Sequence, residues 1–261
     1  MTIITVATVT GSPGATRLAL GLAAAWPVGA QRRVLVEADP DGGRLGAELG
    51  IGVEPGLMAL ALAARTSMMT PDELVRIGAA PVADWFVVPA PPSAEQAHSA
   101  LMHAASSLAT VLADAPPGAP NTTMWIIDAG RLSGRSPALP LGTVATHLLV
   151  VAHGSFPSLQ LVPHRIETLR AAGCHPEVVI VEPTSWTSGE IAEFVGADVV
   201  GVLPRVRGRA DAVGAMRANA WRPWWNAVDA LAGYLAGGEL DLSLEPDPAR
   251  IPRHLTEEVQ A

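Results

Sequence analysis

The chain has 261 residues, of which 49% are hydrophobic, so it is long enough for one large domain with a substantial core. Its formal charge of -8 at pH 7 does not favour nucleic acid as a partner. No apolar stretch reaches the roughly 18 to 20 residues of a membrane span. The first residues lack a secretory signal pattern, and the single cysteine, Cys174, cannot form an intrachain disulfide. We therefore expect a cytoplasmic protein without a membrane span.

Short apolar runs rich in β-branched residues alternate with longer segments rich in Ala and Leu, which is typical of βα units with a mostly parallel sheet. The predicted fold is α/β, with roughly seven strands and helices on both faces. We expect one domain over residues 1–236 and a C-terminal tail, 237–261, that is flexible or lies on the surface. The predicted strands are 3–9, 33–37, 85–88, 124–128, 147–152, 177–181 and 199–203, and the predicted helices are 16–26, 71–77, 94–112, 158–172, 188–194 and 218–236.

A segment shaped like a phosphate-binding loop follows the first predicted strand. Its glycines let backbone N–H groups converge on phosphate oxygens, and the N-terminus of the next helix adds a favourable dipole. Thr16 stands where a Mg²⁺-ligating hydroxyl belongs, and its alternative role is a helix cap or first-turn residue. Arg17, one step further, either contacts phosphate or faces solvent. The candidate nucleotide-binding residues of this loop are Gly11, Ser12, Pro13, Gly14, Ala15, Thr16 and Arg17.

The same loop lacks its usual cation, because the chain contains no lysine and all 17 residues counted as Lys or Arg are arginines. A phosphate-binding loop normally uses a lysine to neutralise the β- and γ-phosphates of a nucleotide. Ala15 occupies that position. Removing one preorganised partner of developing charge lowers an enzyme's rate by about 10²–10³. The loop therefore predicts weak hydrolysis or none.

Carboxylates follow two further predicted strands. Glu37, Asp39 and Asp41 come at the end of the second strand, and Asp128 ends the fourth. Open α/β sheets bind ligands at the carboxyl ends of their strands, where carboxylates can hold Mg²⁺ and orient an attacking water. The alternative for each acid, taken singly, is a helix cap or a turn former.

With these motifs the chain resembles the ParA/MinD family of partition and positioning ATPases over nearly its whole length. The resemblance rests on the modified P-loop and on the segments LVEADPDGG, WIIDAGR, VVAHGSFPSLQLVPHRIETL, VVIVEP and VVGVLPRVRGRADAV. It implies ATP or ADP and Mg²⁺ as cofactors and a homodimer or a protein partner. By the same resemblance, Thr16 and Asp128 would serve Mg²⁺, Asp39 would position the attacking water, and the base would face Glu182, Pro183 and Pro204.

The chain departs from the family pattern at the residues that matter most for hydrolysis. Thr10 stands in place of the signature lysine that acts across the dimer, Ala15 in place of the second lysine, and Glu37 in place of a shorter acid. We therefore predict a nucleotide-binding or pseudo-ATPase positioning or adaptor protein, in chromosome partitioning, septum placement or pilus or secretion assembly. One alternative is an active ATPase with an altered mechanism.

Another alternative is a Rossmann-type NAD(P)-dependent enzyme, since Gly11 and Gly14 follow a strand and an acid lies roughly 20 residues on. No third glycine follows at the fingerprint spacing, and no Tyr/Lys catalytic pair is available to the single tyrosine, Tyr234.

Three further segments have two interpretations each. The apolar stretch from Leu57 to Leu62, with Met68 and Met69, is either core or a dimer-facing surface. The tryptophans near the start of the last predicted helix either pack it on the sheet or form a partner patch. The arginines after the last predicted strand are either solvated or an anion or partner contact. These residues are Trp221, Trp224 and Trp225, and Arg205, Arg207 and Arg209.

Overall fold

The computed structural model describes residues 2–10, 14–27, 32–65, 70–82, 85–114, 123–182, 184–205 and 222–238. Strands and helices alternate along these ranges. The strands are β1 (Ile3–Thr8), β2 (Arg32–Glu37), β3 (Ala80–Val82), β4 (Trp85–Val88), β5 (Thr123–Arg131), β6 (His147–His153), β7 (Pro176–Val181) and β8 (Val199–Leu203).

Helices connect these strands. The longest, α5, follows a serine N-cap whose hydroxyl accepts a hydrogen bond from the N–H of Gln96. Helices α4 and α9 each begin with a complete capping box, formed by Thr70 with Glu73 and by Thr187 with Glu190. The helices are α1 (Ala15–Ala25), α2 (Leu45–Leu49), α3 (Leu57–Ala64), α4 (Pro71–Gly78), α5 (Ala94–Ala113), α6 (Leu139–Thr143), α7 (Phe156–Leu159), α8 (Val162–Ala171), α9 (Ser188–Val195) and α10 (Arg222–Leu235).

All described strands belong to one sheet of eight strands in the order β3-β4-β2-β5-β1-β6-β7-β8. Seven of them are parallel, and β3 pairs antiparallel with β4 at the edge. The prediction of an α/β fold with roughly seven mostly parallel strands is confirmed. The short strand β3 was not predicted, because Pro81 removes a ladder donor and a strand with an internal proline is tolerated mainly at an edge.

The strand order differs from that of a dinucleotide-binding fold. In that fold the second strand lies beside the first. Here β5 lies between β1 and β2. This topology removes the basis for the Rossmann-type alternative and places the carboxyl ends of β2, β5 and β1 side by side.

The sheet is buried on both faces, which explains why its strands are apolar without strict alternation. In β1, Ile4 and Val6 pack into one hydrophobic layer, whereas Ile3 and Ala7 pack into the other. Helices α1 and α10 supply most of the first layer, and α3, α5, α8 and α9 contribute to the second.

Two tryptophans pack α10 against α1. Trp224 and Trp225 are buried, with ring centroids 5.1 Å apart in an edge-to-face arrangement. A Cβ atom added at Gly21 of α1 would lie 2.5 Å from the Trp224 ring, so only glycine permits this close approach. These two tryptophans therefore belong to the core, and Trp221 lies outside the described residues.

Several predicted boundaries need correction. The predicted helix 158–172 is divided into α7 and α8, because Pro163 lacks an N–H and its ring is incompatible with a helical residue four positions earlier. The short helices α2, α3 and α6 were not predicted. Strand β5 continues three residues past the predicted end at Asp128, to Arg131. Residues 218–221 of the last predicted helix and residues 239–261 of the predicted tail lie outside the described residues.

The apolar segment after the second strand forms α3 and has two different faces. Leu57 and Leu60 are fully buried in the core, whereas Met58 and Leu62 are 42% and 66% exposed. Part of this segment is therefore core and part is an exposed apolar surface, whose role in a dimer stays a prediction. Met68 and Met69 lie outside the described residues. Over the described ranges, none of the helices combines the length and the apolar character that crossing a lipid bilayer requires.

Candidate functional site

A cavity of about 280 Å³ lies at the carboxyl ends of β1, β2 and β5. This is the edge where open α/β sheets bind their ligands. The lining combines the end of the glycine-rich loop, the acidic segment after β2 and the end of β5. The lining residues are Thr8, Gly14, Ala15, Thr16, Glu37, Asp39, Asp41, Gly42, Arg44, Gly130 and Arg131.

The glycine-rich loop enters helix α1 at the cavity. Gly14 has φ 100°, a left-handed conformation that favours glycine, and its carbonyl accepts the first helical hydrogen bond from the N–H of Leu18 at 2.9 Å. Ala15 is buried and contributes only a methyl group to the lining, where a phosphate loop would present a lysine. Thr16 lines the cavity, and its role towards Mg²⁺ stays a prediction. Gly11, Ser12 and Pro13 lie outside the described residues.

Asp128 lies in β5, paired with Val6 of β1 and Glu37 of β2, and is only 1% exposed. Its Oδ1 accepts a hydrogen bond from the N–H of Gly130 at 3.2 Å, whereas Oδ2 has no hydrogen-bond partner among the described residues. The Thr16 hydroxyl lies close enough to the carboxyl group to lower its pKa, although no hydrogen bond of standard geometry reaches Oδ2. Asp128 therefore lies directly behind Thr16 and keeps an unused acceptor.

The ionisation of Asp128 is unfavourable in this environment. Burial raises its pKa to about 7; the Thr16 hydroxyl and the Gly130 N–H oppose this rise, and the charges of Glu37 and Asp39 add to it. Glu37, Asp39 and Asp128 thus lie at one corner of the fold, where Arg44 and Arg131 offset part of the charge of Asp39. A cation placed there would favour the ionised form of Asp128.

The side chain of Glu37, which is one methylene longer than that of aspartate, makes hydrogen bonds that stabilise the fold. Its Oε1 accepts hydrogen bonds from the N–H groups of Arg44 at 2.7 Å and Leu45 at 3.0 Å, and its Oε2 accepts one from Ala90 at 2.9 Å. The buried carboxylate thereby joins the start of α2 to the segment after β4. Burial raises its pKa, and these three N–H groups lower it. A Cβ at Gly43 would overlap Glu37 Oε2, so glycine is required there.

Asp39 lines the cavity, and its role in orienting a water stays a prediction. Its Oδ1 accepts a hydrogen bond from the N–H of Asp41 at 2.9 Å, which forms a local turn. Burial raises the pKa of Asp39, while Arg44 and Arg131 lower it. A Cβ at Gly130 would overlap the Asp39 carboxylate, so the glycine allows β5 to approach this side chain closely.

Two arginines that sequence reasoning did not select contribute positive charge to the cavity. Arg44 is 64% exposed and its Nε lies 3.3 Å from Glu48 Oε1. Arg131 ends β5 beside Thr8 of β1. The sequence signal for Arg131 is its position three residues after Asp128, which ends the fourth predicted strand. Arg17, a candidate phosphate contact from the sequence, is half-buried and is not among the residues that line the described cavity.

The residues expected to face a nucleotide base lie at the same edge of the sheet, beyond the cavity. Glu182 follows β7 with φ 77°, and its Oε1 lies 3.0 Å from Arg205 Nε and 3.7 Å from His153 Nδ1. Pro204 directly follows β8. Neither Glu182 nor Pro204 lines the described cavity, so their role at a base stays a prediction. Pro183, Arg207 and Arg209 lie outside the described residues.

The oxygen donors of the site fit Mg²⁺, which prefers hydroxyl, carboxylate, phosphate and water oxygens. Thr16 provides a hydroxyl at the cavity wall, and Asp128 provides the unused Oδ2 behind it. Within the described ranges, no group of three or more His, Cys, Asp or Glu residues could hold a metal ion without further ligands. Bound Mg²⁺ would therefore also need phosphate or water oxygens, which is its usual mode with nucleotides.

No protein-family model matches the sequence, and a comparison with curated proteins gives no match either. Solved structures do match. A ParA family ATPase from Chlorobium tepidum is 15% identical over 93% of this chain and 95% of that chain, with a TM-score of 0.64. The cell division ATPase MinD from Pyrococcus furiosus is 16% identical over 90% and 98%, with a TM-score of 0.65.

A third match is an enzyme of a different kind. Cobyrinic acid a,c-diamide synthase from Mycobacterium smegmatis, solved with an ATP analogue and magnesium, is 17% identical over 92% of this chain and 97% of that chain, with a TM-score of 0.63. One fold therefore serves several functions among these matches, so function has to be argued from the site. At such identities the likeness shows architecture: the chain has the fold of the ParA/MinD P-loop ATPases.

Proposed function

We propose that this chain is a ParA/MinD-like protein that binds ATP or ADP with Mg²⁺ and hydrolyses ATP weakly or not at all. It would act as a positioning or adaptor protein in chromosome partitioning, septum placement or pilus or secretion assembly. One observation carries the proposal: the phosphate-loop cavity keeps Thr16 and Asp39 in its lining, with Asp128 behind Thr16, but has Ala15 where the loop lysine belongs.

Different residues would contact the phosphates, the Mg²⁺ and the base of the nucleotide. The loop from Gly11 to Arg17 would cradle the phosphates through its backbone N–H groups. Thr16 and Asp128 would hold Mg²⁺, which neutralises phosphate charge when bound. Asp39 would orient a water, and the segment of Glu182, Pro183 and Pro204 would face the base.

The charge balance of the cavity supports a requirement for Mg²⁺ in nucleotide binding. The lining carries three carboxylates, Glu37, Asp39 and Asp41, against the two guanidinium groups of Arg44 and Arg131, and Asp128 lies directly behind it. A free polyphosphate would be repelled by this excess of negative charge. With Mg²⁺ bound, the carboxylates and the phosphates share a common counterion.

Weak hydrolysis follows from the missing lysines. Thr10 and Ala15 remove two cations from the phosphates, and loss of one such preorganised partner typically lowers the rate by about 10²–10³. Binding is less affected, because loop N–H groups and Mg²⁺ still contact the phosphates.

A partner would use the exposed side of α3. Met58 and Leu62 are exposed, and large exposed apolar side chains often mark an interaction surface. We propose a homodimer or a different protein partner at this face, a domain over residues 1–236 with a surface tail at 237–261, and a cytoplasmic location.

The test is a titration of the purified protein with a fluorescent ATP analogue, with and without Mg²⁺, together with steady-state phosphate release. The wild type is expected to bind in Mg²⁺, Asp128→Ala to bind much more weakly, and phosphate release to stay near background. The double variant Thr10→Lys, Ala15→Lys should release phosphate faster than the wild type. Robust release by the wild type that Asp39→Ala abolishes would favour the alternative, an active ATPase with an altered mechanism.

A further inference from the structure

We propose that Arg131 is a phosphate-contacting residue that replaces, for binding, the cation missing from the loop. The ligand class is the polyphosphate of a nucleoside di- or triphosphate bound with Mg²⁺. The inference rests on the proposed nucleotide-binding function and names a residue that the phosphate-loop pattern itself does not contain.

The backbone fixes Arg131 beside the phosphate loop. Its Cα pairs with Thr8, the last residue of β1, two positions before the loop begins at Thr10. The Thr8 hydroxyl donates a hydrogen bond to the Gly130 carbonyl at 3.4 Å, and the Leu132 N–H donates one to the Thr8 carbonyl at 3.3 Å. These bonds flank Arg131 on both sides. Arg131 lines the same cavity as Gly14 and Thr16, and its charge acts on Asp39, which also lines it.

The charge of Arg131 is not neutralised by a contact ion pair with any carboxylate in the described part of the chain. Asp39 is near enough for Arg131 to lower its pKa, but the two side chains form no ion pair within 4 Å. A second guanidinium lies near Arg131. Arg165 donates a hydrogen bond to the Leu132 carbonyl at 2.6 Å, and its pKa is lowered by burial and by Arg131. Two neighbouring guanidinium groups favour an anion between or beside them.

The other arginines are less suited to the role. Arg44 also lines the cavity, but its guanidinium is already paired with Glu48. Arg17 has an interaction within the protein and does not line the described cavity. Arg131 therefore combines a cavity position, a fixed backbone and a charge that forms no contact ion pair among the described residues. Its planar guanidinium can also bind a phosphate group through two parallel N–H donors.

The test compares Arg131→Ala and Arg131→Lys with the wild type in the fluorescent ATP analogue titration with Mg²⁺, with competition by ATP, ADP and AMP. Arg135→Ala is the matched control, because Arg135 is exposed four residues further along and does not line the described cavity. Arg44→Ala measures the contribution of the second arginine. Unchanged melting temperatures show that each variant is folded.

Arg131→Ala is expected to weaken ATP binding by about ten-fold to a hundred-fold, with a smaller effect for ADP and little for AMP. The dependence of ATP binding on KCl concentration should also become less steep, because a charge contact has been removed. Arg131→Lys should restore part of the affinity, and Arg135→Ala should match the wild type.

Two failures are distinguishable. If the wild type binds the ATP analogue and Arg131→Ala binds it equally well, or loses AMP affinity as much as ATP affinity, the role of Arg131 is wrong while the proposed function stands. If only Arg44→Ala loses affinity for the ATP analogue, the role of Arg131 is also wrong. If the wild type binds no nucleotide with Mg²⁺, both the proposed function and this inference are wrong.

Discussion

Replacing Asp128 by asparagine changes how the stability of the ligand-free protein depends on pH. Asparagine keeps the shape of the side chain and can still accept the Gly130 N–H, but it cannot ionise. In the native protein the pKa of Asp128 is raised by burial from 3.8 to about 7. The wild type should therefore show a loss of stability with rising pH that the variant lacks.

The sign and size of this pH dependence of stability follow from proton linkage. Between about pH 4 and pH 7 the unfolded chain has lost the Asp128 proton and the native protein has kept it, so raising the pH favours the unfolded state. The contribution to stability falls until the pH passes the native pKa of about 7 and then stays constant. Each pH unit in this range lowers the free energy of unfolding by about 1.4 kcal/mol, so the two pH units from 5 to 7 lower it by about 3 kcal/mol.

The assay is urea unfolding in Mg²⁺-free buffer at pH 5, 6, 7 and 8. The free energy of unfolding of Asp128→Asn, relative to the wild type, should rise by about 3 kcal/mol between pH 5 and pH 8. Relief of the repulsion on Glu37 and Asp39 acts in the same direction. Asp114→Asn, at an exposed residue after α5, is the control. If Asp128→Asn and the wild type have parallel pH profiles, the reasoning about a buried, uncompensated carboxyl group is refuted.

Two further predictions test the architecture around the cavity. Glu37→Gln should lower the free energy of unfolding by about 1–3 kcal/mol, because an amide N–H₂ then faces a backbone N–H at Arg44, Leu45 or Ala90. Equal stability of the variant and the wild type in urea unfolding would show that these bonds contribute little. Gly130→Ala should weaken binding of the Mg²⁺–ATP analogue, because the added Cβ overlaps the Asp39 carboxylate. Gly173→Ala controls for backbone strain, since Gly173 has φ 87° and open space around it, and equal effects of the two variants on binding would contradict the prediction.

Most of the sheet could be predicted from the sequence, because a parallel strand covered on both faces must be apolar throughout. The runs at residues 34–36 and 148–151 are such strands, and both are fully buried. The five-residue helices α2 and α6 could not be predicted in this way, since one and a half turns are too short to show a helical period. Edge strand β3 carries a proline, which argues against a strand when only the sequence is considered.

In the candidate site, too, local motifs could be predicted and tertiary contacts could not. Thr16 and Asp39, which local motifs at strand ends single out, both line the cavity. The structural hydrogen bonds of Glu37 and the cavity position of Arg131 could not be predicted from local sequence. The three N–H groups around Glu37 come from two separate segments, and Arg131 reaches the cavity because β5 pairs with β1 over 100 residues away in the chain. Such tertiary contacts decide which charged residues stabilise the fold and which face the cavity.

The most direct test of the central claim is a single comparison of nucleotide binding and turnover on the wild-type protein. Binding of the ATP analogue is measured in Mg²⁺ and again in EDTA, and phosphate release is followed under the Mg²⁺ condition. The account predicts binding that requires Mg²⁺ and phosphate release near background. Absence of binding in Mg²⁺, or binding that persists unchanged in EDTA, would contradict the account, and so would phosphate release at the rate of lysine-containing ParA/MinD ATPases.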